Sequence, residues 1–353
     1  MERLYWNNDW KFAETWEEAM KEAVYPENEM EDVRLPHTCK ELPYHYFDEH
    51  AYQMLCGYRR HFMAPEAWQG KSVELTFEGV AHDAVVYVNG TEVKAHHCGY
   101  TAFFVEIAKY LKYGEDNVLA VRVDSRENLN IPPFGYAIDY MTFGGMYREV
   151  YVQVRNKTHL ADVFVKPQIH PLQVTTEITV QNISDGITLQ QEIRKKGEGA
   201  YSPLGKKPVK QTNVQTVFPV QEIRLWEPEN PYLYEIRTSL WKNGEMIDAR
   251  VDITGFREAG FRKDGFYLNG KKLRLRGLNR HQSYPYVGYA APASMQIFDA
   301  DILKKELGVN AVRTSHYPQS QDFIRRCDEI GLLVFTEFPG WQHIGDEEWK
   351  RQA

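Results

Sequence analysis

The sequence has few cysteines, no long apolar run and no excess of positive charge. Its 353 residues include 4 cysteines, Cys39, Cys56, Cys98 and Cys327, and no two of them lie close together in the sequence. This spacing argues against a thiolate metal site, a redox pair or a disulfide framework. We therefore expect a protein of a reducing compartment, the cytoplasm.

The apolar runs are short as well. The run at residues 332–335 is one of the longest, whereas a membrane helix needs roughly 20 apolar residues. Residues 1–14 are charged and aromatic, unlike a secretion signal. The sequence thus predicts a protein that neither crosses a membrane nor is exported.

Acidic residues outnumber basic ones. The chain has 42 Lys and Arg against 49 Asp and Glu, a formal net charge of -7, which repels nucleic acid and acidic membranes. Residues 194–210 are locally basic, but the Gly and Pro between the lysines favour a solvated loop that connects two strands. We expect no nucleic-acid partner.

Aromatic residues, in contrast, are abundant at 13%, with 22 Tyr and 8 Trp. Such rings can pack on the apolar C–H face of a pyranose, which would make sugar-binding surfaces. They can equally fill the cores of β-sandwiches. Composition does not decide between these two uses.

Short alternating runs separated by turn signals predict an antiparallel, jelly-roll-like β-sandwich over residues 50–155. Asn89-Gly90 lies between two of these runs and predicts a two-residue hairpin, because both positions tolerate positive φ. Residues 125–146 form a segment rich in Pro, Gly and aromatics that is too long for a simple turn. Long ordered loops of this kind often carry function.

A second β pattern covers residues 158–258 and includes another hairpin signal, Asn243-Gly244. Its length suits an immunoglobulin-like sandwich. The Cys-Trp-Cys pattern of true immunoglobulin domains is missing, so this interpretation rests on strand number and length.

The remaining residues follow the order β-α-β-α-β, which predicts a parallel sheet, either an open doubly wound sheet or a (β/α)8 barrel. Strands are expected at residues 272–277, 310–313 and 332–335. Ser294 is expected to cap the first helix and Gly308 to end it, and Gly331 is expected to end the second.

A barrel takes about 250 residues, but only residues 266–353 follow the second sandwich pattern. Asp346, Glu347 and Glu348 look like the acidic first turn of a third helix, which has little more than two turns of sequence left. We therefore expect the chain to stop inside a domain.

One long motif resembles the signature of glycoside hydrolase family 2. It runs through Asn310-Ala-Val-Arg-Thr-Ser-His-Tyr-Pro318, then Phe323, Asp328 and residues 331–335. Other segments similar to this family are Leu35-Pro-His37, Tyr58-Arg-Arg60, Gly144-Gly-Met-Tyr-Arg148, Leu225-Trp-Glu-Pro228, Gly255-Phe-Arg257 and residues 266–281. The resemblance spans nearly the whole chain.

The resemblance implies a multidomain chain of β and α/β type. Its parts would be a sugar-binding jelly-roll domain at 1–157, an immunoglobulin-like sandwich at 158–258 and the N-terminal part of a TIM-barrel catalytic domain at 259–353. The implied activity is that of a retaining exo-β-glycosidase acting on terminal β-galactosides, β-glucuronides or β-mannosides, most like a β-galactosidase.

Retaining glycosidases need two carboxyl groups about 5 to 5.5 Å apart. In this family both are glutamates on later barrel strands, so the resemblance places them beyond Ala353. The chain's one Asn-Glu pair, Asn28-Glu29, has no barrel context. We therefore expect no catalytic acid and no nucleophile in this chain, which alone should be inactive.

His281, His316 and Glu337 follow three successive barrel strands, whose carboxyl ends form the rim where barrels place active sites. The resemblance adds Asp139 from the long loop and Arg313 near the missing nucleophile. Trp341, where the sequence departs from the family, is added as an aromatic ring that could pack on sugar. The candidate substrate-binding residues are Asp139, His281, Arg313, His316, Glu337 and Trp341.

Structural alternatives remain open for these residues. Glu337 could simply pair with a neighbouring arginine, Asp139 could cap its own loop, and the histidines could fix loops. Without a nucleophile, Arg313 is expected to face solvent or a buried void. Aromatic residues of the long loop, namely Phe134, Tyr136, Tyr140 and Phe143, could stack on sugar or pack beneath the loop.

The resemblance also bears on metals and cofactors. Magnesium-dependent β-galactosidases of the family carry a glutamate and then a histidine two positions on, where this sequence reads Trp341-Gln-His343. Trp341 cannot ligate Mg²⁺, which prefers oxygen ligands. We expect no metal site of this kind and no cofactor, and Trp341 is expected to be a sugar platform.

Two other classes of function fit the same sequence. The chain could be a non-catalytic carbohydrate-binding module, or a fragment that completes an enzyme when another chain supplies the rest of the barrel. A three-stranded parallel sheet would also leave open edges and apolar faces, which predicts aggregation or a homo-oligomer.

Overall fold

The computed structural model describes residues 3–45 and 47–353, so Met1, Glu2 and Tyr46 lie outside the described part. Antiparallel sheets occupy the first two thirds of this chain, and a parallel sheet with helices follows. This order confirms the predicted fold class: two β-sandwiches and the start of a barrel.

The first sandwich comprises ten strands in a four-stranded sheet (β1-β10-β5-β8) and a six-stranded sheet (β3-β2-β4-β9-β6-β7). The strands are β1 Leu4–Tyr5, β2 Trp10–Ala13, β3 Glu31–Val33, β4 Leu55–Met63, β5 Ser72–Phe77, β6 Asp83–Val88, β7 Thr91–His96, β8 Phe103–Glu106, β9 Asp116–Asp124 and β10 Val150–Arg155. Short 3-10 helices lie at Glu18–Lys21, Glu49–Tyr52, Glu66–Trp68 and Ala108–Tyr110.

The core of this sandwich forms because apolar residues alternate along its strands. Leu75 and Phe77 on β5 are fully buried against residues of the facing sheet, among them Tyr58 and Val121. Between β6 and β7, Asn89 has a φ of 50° and Gly90 a φ of 82°, as the predicted hairpin requires.

The long loop between β9 and β10 is ordered but contains no strand or helix. Its first residue, Ser125, donates a hydrogen bond to the backbone oxygen of Tyr52 at 2.6 Å. Phe134 and Phe143 are buried beneath the loop, so the suggestion that they offer a stacking face is wrong. Tyr136 is exposed, and Tyr140 packs against the last part of the chain.

The second sandwich has a three-stranded sheet (β11-β12-β15) and a four-stranded sheet (β14-β13-β16-β17). Its strands are β11 His159–Ile169, β12 Leu172–Gln181, β13 Thr188–Lys195, β14 Ser202–Pro208, β15 Asn213–Pro219, β16 Tyr234–Lys242 and β17 Glu245–Thr254.

Residues 194–210 are not the solvated loop that their composition suggested. Its ends belong to the antiparallel strands β13 and β14, which pair with a β-bulge at Gln191/Glu192, and only residues 196–201 form a turn between them. Lys206 and Lys207 lie on β14, an edge strand of the sheet, where charged side chains are common because they discourage pairing with other molecules.

The last part begins with a small antiparallel sheet of β18 Ala259–Arg262, β19 Gly265–Leu268 and β20 Lys271–Lys272. A parallel sheet follows, with β21 Gly277–Arg280, β22 Ala311–Thr314 and β23 Leu333–Phe335. The strand expected at 272–277 is therefore wrong. The first parallel strand starts at Gly277, where a Cβ would come within 2.5 Å of the Ala311 oxygen, so glycine permits the close pairing.

The helices are α1 Ala293–Asp301, α2 Gln321–Ile330 and α3 Glu347–Gln352, and α1 continues as a π-helical turn at Ile302–Glu306. Pro292, not Ser294, occupies the N-cap of α1, no side chain caps the helix there, and Ser294 lies inside its first turn. Gly331 ends α2 with a φ of 76°, as predicted. No helix of the described residues is long and apolar enough to cross a membrane.

Candidate active site

The carboxyl ends of the three parallel strands bring the candidate residues together. His281 follows β21 directly, while His316 and Glu337 each come two residues after their strands, β22 and β23. Arg313 lies on β22 itself, paired with Asn279 and Phe335 on the neighbouring strands. All four side chains therefore meet at one edge of the sheet, as the parallel order predicts.

Glu337 binds two of the other candidates. Its Oε1 accepts a hydrogen bond from Nε of Arg313, and its Oε2 lies 2.8 Å from Nδ1 of His316. Burial alone would raise the pKa of Glu337, but the hydrogen bonds from His316 and Arg313 outweigh it and lower this pKa. The carboxylate is therefore held in its charged form.

This ion pair corrects one expectation and bears on another. Arg313 does not simply face solvent or a void, because its guanidinium is bonded to Glu337, although its side chain stays 42% exposed. Glu337 does pair with an arginine, as the structural alternative for this residue proposed. The pairing leaves the carboxylate at the rim, next to His316.

His281 stands beside His316, with 5.4 Å between the ring centroids. Burial lowers the pKa of His281, and the nearby His316 and Arg313 lower it further, while the charge of Asp139 acts in the opposite direction. Asp139, on the long loop of the first sandwich, is thus close enough to His281 to influence its titration. The imidazole is neutral near pH 7 and can both donate and accept hydrogen bonds.

Aromatic rings wall this group of polar side chains. The ring centroid of Tyr140 lies 5.7 Å from His281, 5.6 Å from His316 and 6.4 Å from Trp341. Trp341 in turn lies 5.4 Å from His316. The first sandwich, through Tyr140, and the last part of the chain, through Trp341, therefore build the wall jointly.

Sequence reasoning missed Tyr317, which follows His316 directly. Its ring stacks on Tyr100 of the first sandwich at 4.2 Å with only 4° between the planes. Its hydroxyl lies 3.5 Å from Nδ1 of His281. The position of Tyr317 within the family motif could have signalled it, but the partner Tyr100 lies more than two hundred residues away along the chain.

Arg148 is a second residue that the sequence did not single out as part of the site. Its buried guanidinium donates hydrogen bonds to Gln282 Oε1 at 3.1 Å and to the backbone oxygen of Pro318 at 2.8 Å. Gln282 follows His281 directly, and Pro318 comes two residues after His316. Arg280, which precedes His281, is also buried and pairs with Asp299.

The residues present do not fit the magnesium site of related enzymes. The indole of Trp341 faces His316 and Tyr140, and it offers no oxygen ligand. His343 packs its ring against Gly135, where a Cβ would meet it, and against Trp349 at 5.7 Å. Within residues 3–45 and 47–353, no group of three His, Cys, Asp or Glu side chains could hold a metal.

Two antiparallel sandwiches that lead into a parallel β/α sheet, with charged and aromatic side chains at its carboxyl edge, define a multidomain protein of β and α/β type. Three family models match consecutive parts of the chain: the sugar binding domain of glycosyl hydrolases family 2 at residues 14–155, glycosyl hydrolases family 2 at 158–257, and the TIM barrel domain of the same family at 260–351. The chain therefore belongs to glycosyl hydrolase family 2.

Known relatives agree with this assignment. A β-galactosidase of Thermoanaerobacter pseudethanolicus is 46% identical over 99% of this chain and 48% of its own length. A β-galactosidase of Thermoanaerobacterium thermosulfurigenes is 43% identical over 98% of this chain and 50% of its own. The chain spans about half the length of these curated relatives.

A solved structure has a closely similar fold. Bacteroides uniformis β-glucuronidase 2, covalently bound to cyclophellitol-6-carboxylate aziridine, superposes with a TM-score of 0.90 at 28% identity. The match covers 99% of this chain and 44% of that one. The similarity therefore extends through both sandwiches and the parallel sheet.

Proposed function

We propose that this chain supplies the sugar-binding side of a retaining exo-β-glycosidase that hydrolyses terminal β-glycosides, with β-galactosides as the preferred class. The observation that carries the proposal is the convergence of Tyr140 from the first sandwich with His281, His316 and Trp341 from the parallel sheet. The β-galactosidases among its relatives support the choice of sugar.

Each candidate residue has a role in the proposal. Asp139 accepts hydrogen bonds from two adjacent sugar hydroxyls, and the neutral imidazole of His281 binds a further hydroxyl together with His316. Tyr140 and Trp341 pack on the apolar C–H faces of the ring. These side chains would fix the terminal sugar before any bond is broken.

In this proposal Arg313 and Glu337 hold other charged groups in place. A lone carboxylate cannot carry out the double displacement of a retaining enzyme, so Glu337 is a binding and positioning group. It holds the guanidinium of Arg313 and the imidazole of His316 by the bonds already described. Arg313 can then orient a carboxylate nucleophile that lies beyond Ala353, along with the acid/base glutamate.

The remaining expectations form part of the same proposal. We place the domain limits at 157/158 and 258/259, and the protein in the cytoplasm, which the four free, buried cysteines favour. No metal, cofactor or nucleic acid takes part. Self-association stays a prediction that light scattering tests, and a stable monomer would contradict it.

The test combines binding with turnover, using purified protein of residues 1–353. Methyl 1-thio-β-galactoside, which resists hydrolysis, should bind the wild type, and binding should fall at least tenfold in Asp139→Asn and His316→Ala variants. The thioglucuronide and thiomannoside should bind more weakly. Unchanged binding in His316→Ala would instead favour a carbohydrate-binding module whose site lies within the sandwich.

Turnover is measured on p-nitrophenyl β-galactoside, β-glucuronide and β-mannoside. No p-nitrophenol should be released, because the proposal places both catalytic glutamates outside these residues. Release above the level of an Asp139→Asn, Glu337→Gln double variant would mean that this chain contains its own carboxylate pair. That result would overturn the proposed division of roles.

A further inference from the structure

The loop that follows His281 contains a tight turn with a tyrosine at its tip. Val287 N donates a hydrogen bond to the Pro285 oxygen at 2.9 Å, and Tyr286 between them has a φ of 69°. This is the γ-turn with positive central φ, which is the rarer and more strained of the two γ-turn forms. Bulky side chains such as tyrosine seldom adopt that conformation.

Three backbone hydrogen bonds and one close packing contact hold the turn in place. Tyr284 and Gly288 bond each other through both backbone groups, at 2.9 and 3.1 Å, and close the loop at its base. Leu42 N, from the first sandwich, donates to the Tyr286 oxygen at 3.1 Å. A Cβ on Gly288 would lie 2.6 Å from the Phe143 ring, so glycine lets the loop pack directly on the segment that carries Asp139.

The result of this strained turn is an exposed ring. Tyr286 is 56% exposed, and Tyr44 of the first sandwich, 58% exposed, lies beside it with 6.4 Å between the ring centroids and 34° between the planes. Burial of these rings does not explain the unfavourable backbone conformation. Strained residues that the surrounding structure holds in place occur mainly at binding and catalytic sites.

The position of the pair relative to the site suggests an occupant. Tyr286 comes five positions after His281, which limits the distance between their Cα atoms to about 18 Å. Tyr289, three residues further on, donates its hydroxyl hydrogen bond to the Met141 oxygen, and Met141 follows Tyr140. The loop that carries Tyr286 therefore leads from His281 back to the segment that holds Asp139 and Tyr140, on which it packs through Gly288 and Tyr289.

We propose that Tyr44 and Tyr286 form the binding surface for the leaving group of a β-glycoside whose terminal sugar lies against Asp139 and His281. The ligand is a ring with a flat apolar face, either an aryl group or a second pyranose, which stacks on the two tyrosines. This inference rests on the proposed function, because it uses the same site for the terminal sugar.

The experiment measures binding of three hydrolysis-resistant ligands to the 353-residue chain by calorimetry. These are methyl 1-thio-β-galactoside, phenyl 1-thio-β-galactoside and a thio-linked galactosyl disaccharide. The wild type should bind the phenyl ligand about three- to tenfold more tightly than the methyl ligand. In Tyr44→Ala, Tyr286→Ala and the double variant, that ratio should fall toward one, with methyl affinity unchanged within twofold.

The controls separate the possible outcomes. Phe164→Ala removes a ring that is also 56% exposed, but on the second sandwich, and should keep the wild-type ratio. An equal gain for the disaccharide identifies a sugar as the leaving group, and a gain for phenyl alone identifies an aryl group. A ratio that persists in the double variant, or equal wild-type affinities for all three ligands, overturns this inference and leaves the proposed function intact.

Failure of the proposed function has a different signature. If the wild type binds none of the three galactosides, nor the matching glucuronides and mannosides, both proposals fail together. If Tyr286→Ala weakens the methyl ligand as much as the phenyl ligand, Tyr286 merely shapes the loop that carries His281, and the stacking proposal is wrong. Tyr44→Ala, which alters no backbone strain, then serves as the independent check.

Discussion

Arg148 in the first sandwich donates a hydrogen bond to the backbone oxygen of Pro318, 2.8 Å away beyond the second parallel strand. The same nitrogen donates to Gln282, which follows His281. One buried cation therefore joins the two loops whose histidines stand side by side. The position of those imidazoles depends on a residue that touches neither of them.

The first prediction concerns this residue. Arg148→Lys replaces a planar guanidinium with three donor bonds by a point charge that cannot reach all three acceptors. Unfolding free energy in denaturant should fall by about 2 to 3 kcal/mol. Arg126→Lys is the matched control, since that exposed arginine forms its ion pair with Asp124 at the surface, and it should change stability by less than about 0.5 kcal/mol.

Arg148→Lys should also loosen the two loops that Arg148 joins, at Gln282 and at Pro318. We expect faster amide hydrogen exchange at residues 282–284 and 317–319 and weaker binding of the methyl thiogalactoside. Unchanged exchange in both loops would show that Arg148 only stabilises the sandwich.

The second prediction concerns Glu337→Gln. The amide keeps the size of the side chain but removes the charge that binds Arg313 and His316. Galactoside affinity, measured by calorimetry, should fall about tenfold, because Arg313 and His316 lose the negatively charged partner that holds both side chains in place. The thermal midpoint should change little, since Arg313 is partly exposed.

Glu329→Gln is the control for this change. Glu329 also forms ion pairs, with Lys196 and Arg326, but on the outer side of α2. Galactoside affinity should stay at the wild-type value in this variant. Equal affinities for Glu337→Gln and the wild type would remove Glu337 from the binding site.

The third prediction concerns the titration of His281, followed by NMR of its ring protons. Its pKa should lie below the ordinary value of 6.5, because burial, His316 and Arg313 disfavour the charged form. Asp139→Asn should lower this pKa further, and Arg313→Gln should raise it. A shift in the opposite direction in either variant would mean that these charges do not face His281.

The sign of this shift also fixes a pH dependence. A histidine with a lowered pKa takes up a proton more readily in the unfolded chain than in the folded one. Its contribution to stability is therefore complete above pH 6.5 and decreases as the pH falls below that value toward the folded pKa. Galactoside binding should weaken at lower pH than stability does, around the folded pKa, where the neutral imidazole of the folded protein becomes charged.

The fourth prediction compares two glycines that end helices. Gly308 and Gly331 have φ values of 64° and 76°, but a Cβ on Gly331 would come within 2.1 Å of the Pro228 oxygen, whereas nothing lies within 4 Å of one on Gly308. Gly308→Ala should cost about 1 kcal/mol of unfolding free energy for the backbone conformation alone. Gly331→Ala should cost about 3 kcal/mol or more, because it adds a steric clash.

Denaturant titration of both variants checks this comparison. Similar losses would mean that the second sandwich, which carries Pro228, can move away from α2. The contact of the second sandwich with α2 would then adjust more easily than the close packing of Pro228 on Gly331 indicates.

Features set by neighbouring residues could be predicted from the sequence. The hairpins at Asn89-Gly90 and Asn243-Gly244 and the end of α2 at Gly331 all depend on positive φ, which these residue types tolerate. The β-α-β-α-β order follows from apolar periodicity. Because parallel strands end at a common edge, the grouping of His281, His316 and Glu337 could be inferred as well.

Features that depend on contacts between residues far apart in the sequence could not be predicted. The start of the first parallel strand depends on how closely Gly277 approaches Ala311, which no local pattern reveals. Lys206 and Lys207 form an edge strand because β13 offers hydrogen-bond partners, despite a composition typical of loops. The contacts of Arg148 with Pro318, and of Tyr100 with Tyr317, join residues far apart in sequence and belong to the folded chain alone.

The ring of Tyr100 lies flat on Tyr317, and the ring of Tyr140 packs beside both His281 and His316, so the first sandwich and the parallel sheet share one set of aromatic contacts. Domain exchange between relatives is therefore constrained. A chimera that took its barrel from one glycosidase and its sandwich from another would bring together rings selected for different partners. Sugar preference in such proteins should be transferred by exchanging both parts as a unit.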